Sequence, residues 1–182
     1  MLLNTPAAEH GWDAPQFRLH DPDGRPFGFS DVKGEHGTLV AFICNHCPYV
    51  KAIAGRFAQD ATTLLAEGVG VVAINANDYV RYPADSPAQM REFAIQHQFP
   101  FPYVIDEDQT IARAYGAVCT PDFFGFNAAG ELQYRGRLDS AGMGSAENRT
   151  PELIDAMRQI AATGEGPGAQ HASIGCSIKW RD

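Results

Sequence analysis

The chain has 182 residues, 45% apolar and 20% charged, the balance of a globular protein long enough to bury a proper core. Its 14 Lys and Arg stand against 22 Asp and Glu, a formal net charge of -8. Such a surface repels phosphate backbones, no Lys/Arg-rich run occurs, and the longest apolar runs (39–44 and 69–74) are too short to span a bilayer, which argues against nucleic acid and membrane as partners.

Met1-Leu2-Leu3-Asn4-Thr5-Pro6 has neither the basic start nor the apolar stretch of a secretory signal. The expectation is a cytoplasmic protein, in a compartment where thiols stay mostly reduced. Four cysteines in that setting point to catalysis, metal binding or plain burial, not to a disulfide scaffold.

In chain order, Phe17-Arg18-Leu19-His20 and Phe27-Gly28-Phe29 read as short strands around the turn Asp21-Pro22-Asp23-Gly24. The continuous apolar run Thr38 to Ile43 predicts a central strand buried on both faces. It runs directly into Cys44-Asn45-His46-Cys47. Pro48 then opens a helix with Val50, Ile53, Phe57, Ala61 and Leu64-Leu65 on one face, closed by Gly68. Val69 to Ile74 is a second buried strand, so the order is strand, CxxC, helix, strand: a βαβ unit.

Residues 75–87 read as a polar loop with Asp78, Tyr79, Arg81, Tyr82 and Asp85, an insertion bordering the active site or, ahead of that, a solvated surface loop. Ser86 is an expected N-cap, with Pro87 at the first helical position and Gln89 completing a capping box, for a helix to about His97. Tyr103 to Ile105 is a short strand and Asp108 to Tyr115 a short helix closed by Gly116. Phe123 to Phe126 and Leu132 to Leu138 form a hairpin around Asn127-Ala128-Ala129-Gly130. The last helix spans about Pro151 to Ala162. The reading is one domain over 1–182, with a core at about 10–162 and a Gly/Pro-rich C-terminal tail at 163–182.

The chemistry concentrates in the CxxC. Two cysteines three apart at a helix N-terminus can close a short reversible disulfide, and the unpaired N–H groups there favour thiolate, the attacking species in thiol–disulfide exchange. His46 is a further stabiliser of that anion and should make the pair more oxidising. Ordinary burial of Cys44 and Cys47 at a strand end is the bland alternative.

The chain resembles the thioredoxin superfamily, and within it the redoxin branch holding AhpC/TSA and thiol-disulfide oxidoreductase proteins. Three segments carry the likeness. Gly11-Trp12-Asp13-Ala14-Pro15-Gln16-Phe17-Arg18-Leu19 with Asp21-Pro22-Asp23-Gly24 resembles the opening hairpin, and Phe42-Ile43-Cys44-Asn45-His46-Cys47-Pro48 the active-site turn. Thr120-Pro121 resembles the cis-proline loop that faces it. The likeness implies a mixed sheet flanked by helices, thiol–disulfide exchange with a protein or small-thiol partner, no cofactor, and Thr120 and Pro121 as a substrate-pairing edge left open. It departs from thioredoxins at Ile43, where they carry Trp. It also lacks the Thr and the Arg that orient a peroxide in peroxiredoxins: Cys44 stands at the Thr position, and no Arg is seen around Cys119 to Asp122. A peroxidase reading therefore ranks second.

By likeness to thioredoxins Cys44 is the nucleophile and Cys47 the resolver. Against this, Pro48 at the first helical position puts Cys47 at the N-cap, where its sulfur can accept backbone N–H bonds. Cys119 is either a buried strand-end residue or an additional redox thiol. Cys176 lies in an apolar tail segment with Ile174, Ile178 and Trp180, which needs a groove to dock in. It is a candidate second resolving thiol. His10, His20, His36, His97 and His171 read as solvated. A third reading is a Zn or Cu(I) site from Cys44, Cys47 and Cys119 with Cys176 or His46, weakened by the lack of a second CxxC.

Overall fold

The computed structural model describes all 182 residues. The strands are β1 (Leu2–Asn4), β2 (Arg18–His20), β3 (Pro26–Gly28), β4 (Gly37–Phe42), β5 (Val69–Asn75), β6 (Tyr103–Ile105), β7 (Cys119–Thr120), β8 (Asp122–Phe126), β9 (Leu132–Gly136) and β10 (Ile174–Ser177). The helices are α1 (Phe29–Val32), α2 (Pro48–Ala66), α3 (Pro87–Gln96), α4 (Thr110–Tyr115) and α5 (Glu152–Thr163). No helix is long and apolar enough to cross a membrane.

Seven strands form a mixed sheet in the order β3-β2-β6-β5-β4-β8-β9, with β4 parallel to β5 and antiparallel to β8. The apolar run of β4 divides as a strand with both faces covered must. Leu39, Ala41 and Ile43 enter one cluster with α2, α3 and α5, while Val40 and Phe42 enter the other with α1 and α4. Phe123 and Phe124 of β8 split the same way. This is the central mixed sheet flanked by helices that the sequence leads one to expect, with a thioredoxin-like topology.

Helix α2 forms where Pro48 sets the first turn, and it buries Val50, Ile53, Phe57, Ala61 and Leu64 at helical spacing. It stops at Glu67, followed by Gly68 at φ +83°. Ser86 caps α3 as expected, accepting the Gln89 N–H, while the Gln89 side chain lines a cleft instead of closing a box back onto Ser86.

The two chain ends depart from expectation. Residues 1–9, outside the expected core, supply β1, and the tail supplies β10. Both join β7 in a second antiparallel sheet ordered β1-β10-β7. Leu2 pairs with Cys176, and Cys176 with Thr120. Ile178 is buried and Trp180 packs against the second core cluster, with Arg113 stacked 4.4 Å from the indole ring.

Candidate active site

Strand β4 lies inside the sheet between β5 and β8, and the chain leaves its end at Ile43, whose N–H still bonds the Ile74 carbonyl of β5. Cys44, Asn45 and His46 turn the corner, and Cys47 is the N-cap of α2 in extended geometry. The Thr120-Pro121 bond is cis, as expected, and brings Thr120 onto the pair. Cys44 Sγ lies 3.2 Å from Thr120 Oγ1, and Cys47 Sγ lies 3.2 Å from the Thr120 carbonyl. Both residues are 0% exposed, and each thiol shifts the pKa of the other.

The third sulfur is Cys176. Its Sγ is 2.9 Å from Cys47 Sγ, in hydrogen-bond contact and unbonded. The edge of β7 expected to stay open for an incoming strand is therefore covered by the chain's own β10. A backbone edge pairs with any strand that reaches it, and the tail is permanently at hand.

The pair is electrostatically asymmetric. The thiol of Cys47 is lowered well below the ordinary range by the hydrogen bond from Cys44. Burial opposes this, and donation from Cys176 and from the Val50 N–H at the head of α2 supports it. As a thiol, Cys47 Sγ is placed to donate to the Thr120 carbonyl or toward Cys176 Sγ. Cys44 is raised, first because it holds the shared proton toward Cys47, then by burial and by the Asp85 charge. The directions of the two shifts favour thiolate character at Cys47 over Cys44, with the Cys44 side chain as the first cause.

Asp85, placed by the sequence in a loop weighed as bordering the site but given no role, is the principal addition to it. The loop read as solvated instead folds its carboxylate into the site, where it is 1% exposed. Asp85 accepts the Asn45 N–H at 2.7 Å and the Asn77 amide at 2.9 Å. Asn45 is fixed further by Tyr103 O–H, which donates to its Oδ1 at 2.8 Å, and by its own Nδ2 donating to the Ala84 carbonyl. Asp85 Oδ2 lies 2.6 Å from His46 Nδ1, off the axis of a ring N–H bond, and the contact raises the imidazole above its ordinary range. His46 stacks flat on Tyr82, with ring centroids 6.0 Å apart. A signal existed: parallel neighbours end at the same sheet edge, so Asn75-Ala76-Asn77 after β5 must lie beside Cys44 after β4.

Cys119 stands apart from the three clustered sulfurs. Its Sγ contacts the Pro121 carbonyl at 3.6 Å, and burial pushes its thiol up to about 12. It is a packed strand residue with little thiolate character. Arg135 corrects the sequence-local search for a cation. The β8–β9 pairing carries it to Asp122, which it grips at 2.8 and 3.2 Å while stacking 4.5 Å over Phe124. Its charge is spent there.

Cys44, His46 and Asp85 each offer one ligand atom, all within 4.8 Å of one another. Two ligands on one zinc at about 2.0–2.1 Å each would sit roughly 3.3 Å apart. His46 and Asp85 are instead in direct contact at 2.6 Å, and the Asp85 oxygens already accept bonds from Asn45 and Asn77. The set does not fit a bound metal as arranged.

The AhpC/TSA family model matches residues 10–135, which is most of the chain and includes the CxxC and the Thr120-Pro121 loop. The chain belongs to the AhpC/TSA family. It is similar to the thiol-disulfide oxidoreductase ResA of Bacillus subtilis, 29% identical over 122 residues, covering 67% of this chain and 64% of that relative. It is also similar to a chloroplastic peroxiredoxin Q of Gentiana triflora, 25% identical over 61% of this chain and 46% of the relative. The chain thus spans about two thirds or less of these relatives. Among solved structures, an uncharacterized conserved protein from Geobacillus kaustophilus superposes with a TM-score of 0.92 at 40% identity, covering 100% of this AhpC/TSA chain and 97% of that one. A hypothetical protein from Sinorhizobium meliloti 1021 gives 0.91 at 35% identity, with 98% of both chains covered.

Proposed function

We propose that this AhpC/TSA protein is a thiol–disulfide oxidoreductase whose redox couple is Cys44 and Cys47. The observation that carries the reading is the meeting of both thiols at Thr120, with Cys44 Sγ 3.2 Å from its hydroxyl and Cys47 Sγ, at the head of α2, 3.2 Å from its carbonyl. A partner disulfide becomes two thiols as the Cys44–Cys47 bond forms with loss of two protons and two electrons; in reverse, two partner thiols become a disulfide. Cys47 holds the reactive thiolate and Cys44 closes the ring. The ResA relatives support the reaction class. The reading includes a cytoplasmic location, which subcellular fractionation tests.

A peroxidase would need a cation poised at the reacting sulfur, and Arg135 is committed to Asp122. Exchange with a disulfide needs no such cation, which ranks it first.

Mild oxidation followed by mass spectrometry tests the proposal. The tryptic peptide 34–51, which holds both cysteines, should lose two hydrogens. Free alkylation of both thiols after oxidation would overturn it.

A further inference from the structure

A couple that trades electrons with a partner must be reachable, yet Cys44 and Cys47 are both 0% exposed. Strand β10 helps to cover them, and of the three clustered sulfurs only Cys176 belongs to a residue that reaches the surface. Its position is fixed from both sides. Cys176 pairs with Thr120 on one edge and Leu2 on the other, Ser173 Oγ donates to the Pro121 carbonyl at 2.8 Å, and the Lys179 N–H bonds Asn77 Oδ1 at 2.8 Å. Gly175 lies so close to the loop that a Cβ there would meet the Thr120 carbonyl at 2.0 Å. The contact of 2.9 Å to Cys47 compares with about 2.05 Å for a formed disulfide.

We propose that Cys176 is a third redox cysteine, exchanging disulfide with Cys47 on its inner side and with the external thiol or disulfide partner on its outer side. This rests on the reading of Cys44 and Cys47 as a redox couple, and adds the route by which that couple is reached.

The steps balance. With the pair oxidised, the Cys176 thiolate attacks Cys47 Sγ. The Cys47–Cys176 bond forms, the Cys44–Cys47 bond breaks, and the electron pair leaves on Cys44, which takes up a proton equivalent to the one Cys176 lost. The oxidation level is unchanged. A partner thiolate then attacks Cys176 Sγ and expels Cys47, the better leaving group because its thiolate is the stabilised one. A second partner thiolate attacks the first partner sulfur and frees Cys176. Two partner thiols have become one disulfide, and the chain holds three thiols; the reverse sequence reduces a partner disulfide. In the reduced state burial, the contact with the Cys47 side chain and the Cys47 charge push Cys176 up to about 11, so it waits as a thiol against Cys47.

Full-length wild type, Cys44→Ser and Cys176→Ser proteins, oxidised with diamide and mapped after trypsin, test this. In Cys44→Ser the expected product joins peptide 34–51 to peptide 159–179. In Cys176→Ser peptide 34–51 should still lose two hydrogens, while turnover of glutathione disulfide falls by about tenfold or more, since the outer exchange site is gone. Absence of the 34–51 to 159–179 link in Cys44→Ser, or wild-type turnover in folded Cys176→Ser, overturns the inference and leaves the couple intact. Failure of peptide 34–51 to close in wild type and Cys176→Ser alike overturns the couple itself, and this inference with it. If Cys176→Ser does not fold, the Cys44→Ser link decides, because that variant keeps the strand unaltered.

Discussion

Asp85 Oδ2 and His46 Nδ1 face each other at 2.6 Å beside Cys44, the carboxylate side chain fully buried and the imidazole 29% exposed. Asp85 acts in opposite senses on its neighbours. Its carboxylate holds His46 above the ordinary imidazole range, with burial opposing, and its charge adds to the rise at Cys44. Asp85 itself lies below the ordinary carboxylate range. Burial alone would raise it, but His46, the Asn45 N–H and the Asn77 amide more than offset that.

This pairing predicts a window of pH dependence. A raised His46 contributes stability that is complete below its unfolded value and is lost as pH rises through its folded value. A lowered Asp85 contributes stability present above its unfolded value and lost as pH falls through its folded value. The two coincide between about pH 3.9 and about pH 6.5. Chemical denaturation of wild type and Asp85→Asn across pH should show the largest gap in that window, narrowing as pH rises beyond it. NMR titration of His46 should fall toward or below its ordinary value in Asp85→Asn; an unmoved titration would show that the contact carries no charge coupling.

Replacing His46 removes an imidazole that Asp85 holds above its ordinary range, and leaves the Asp85 charge facing the thiols. Thiolates are disfavoured, the reduced form loses stability relative to an ordinary dithiol only through that anion, and the couple should become less oxidising. A tenfold change in the exchange constant corresponds to about 30 mV for this two-electron couple. Equilibration of His46→Ala against a glutathione buffer checks the sign; an unchanged or more oxidising potential would remove His46 from the tuning of the pair.

Much of this was legible in the sequence because local rules and tertiary outcome agree. The run Thr38 to Ile43 is apolar on both faces because it lies mid-sheet, Pro48 marks the head of α2, and Cys44-Asn45-His46-Cys47 falls at the junction. The resemblance, not periodicity, identified Thr120-Pro121. The chain ends were opaque for a physical reason. Three-residue Leu2–Asn4 and four-residue Ile174–Ser177 carry too little pattern to signal a strand, and their pairing spans almost the whole chain length. Asp85 was hidden for a related reason. A carboxylate in a polar loop looks solvated until the fold shows Asn45, Asn77 and His46 gathered around it.

The close approach at Gly175 supplies a way to loosen the strap without touching a sulfur. A methyl group there meets the Thr120 carbonyl at 2.0 Å, and backbone must yield. Gly175→Ala should cost about 1–3 kcal/mol, typical of overpacking, and should spend part of that on detaching β10. Alkylation of Cys47 by iodoacetamide should accelerate by about tenfold or more as local opening becomes easier. An unchanged alkylation rate in a folded Gly175→Ala protein would mean that β10 does not limit access to Cys47.

The asymmetry of the two CxxC thiols gives the last prediction. Cys44 is the largest single donor to Cys47, with the Cys176 thiol and the Val50 N–H following. In Cys47→Ser, the remaining Cys44 keeps its burial and its Asp85 neighbour and stays protonated at neutral pH, so it should alkylate slowly even in partly unfolding conditions that admit the reagent. In Cys44→Ser, a hydroxyl still donates to Cys47 and the N-cap position is unaltered, so Cys47 should keep a lowered pKa. Cys44→Ala removes the donor, and the Cys47 titration should move upward. Following thiolate absorbance against pH in the three variants, each with Cys119 and Cys176 also replaced by Ser, isolates the pair. The order expected for the surviving thiol, from lowest to highest pKa, is Cys44→Ser, then Cys44→Ala, then Cys47→Ser. A lower value for Cys44 than for Cys47 would restore Cys44 as the nucleophile and remove the N-cap argument.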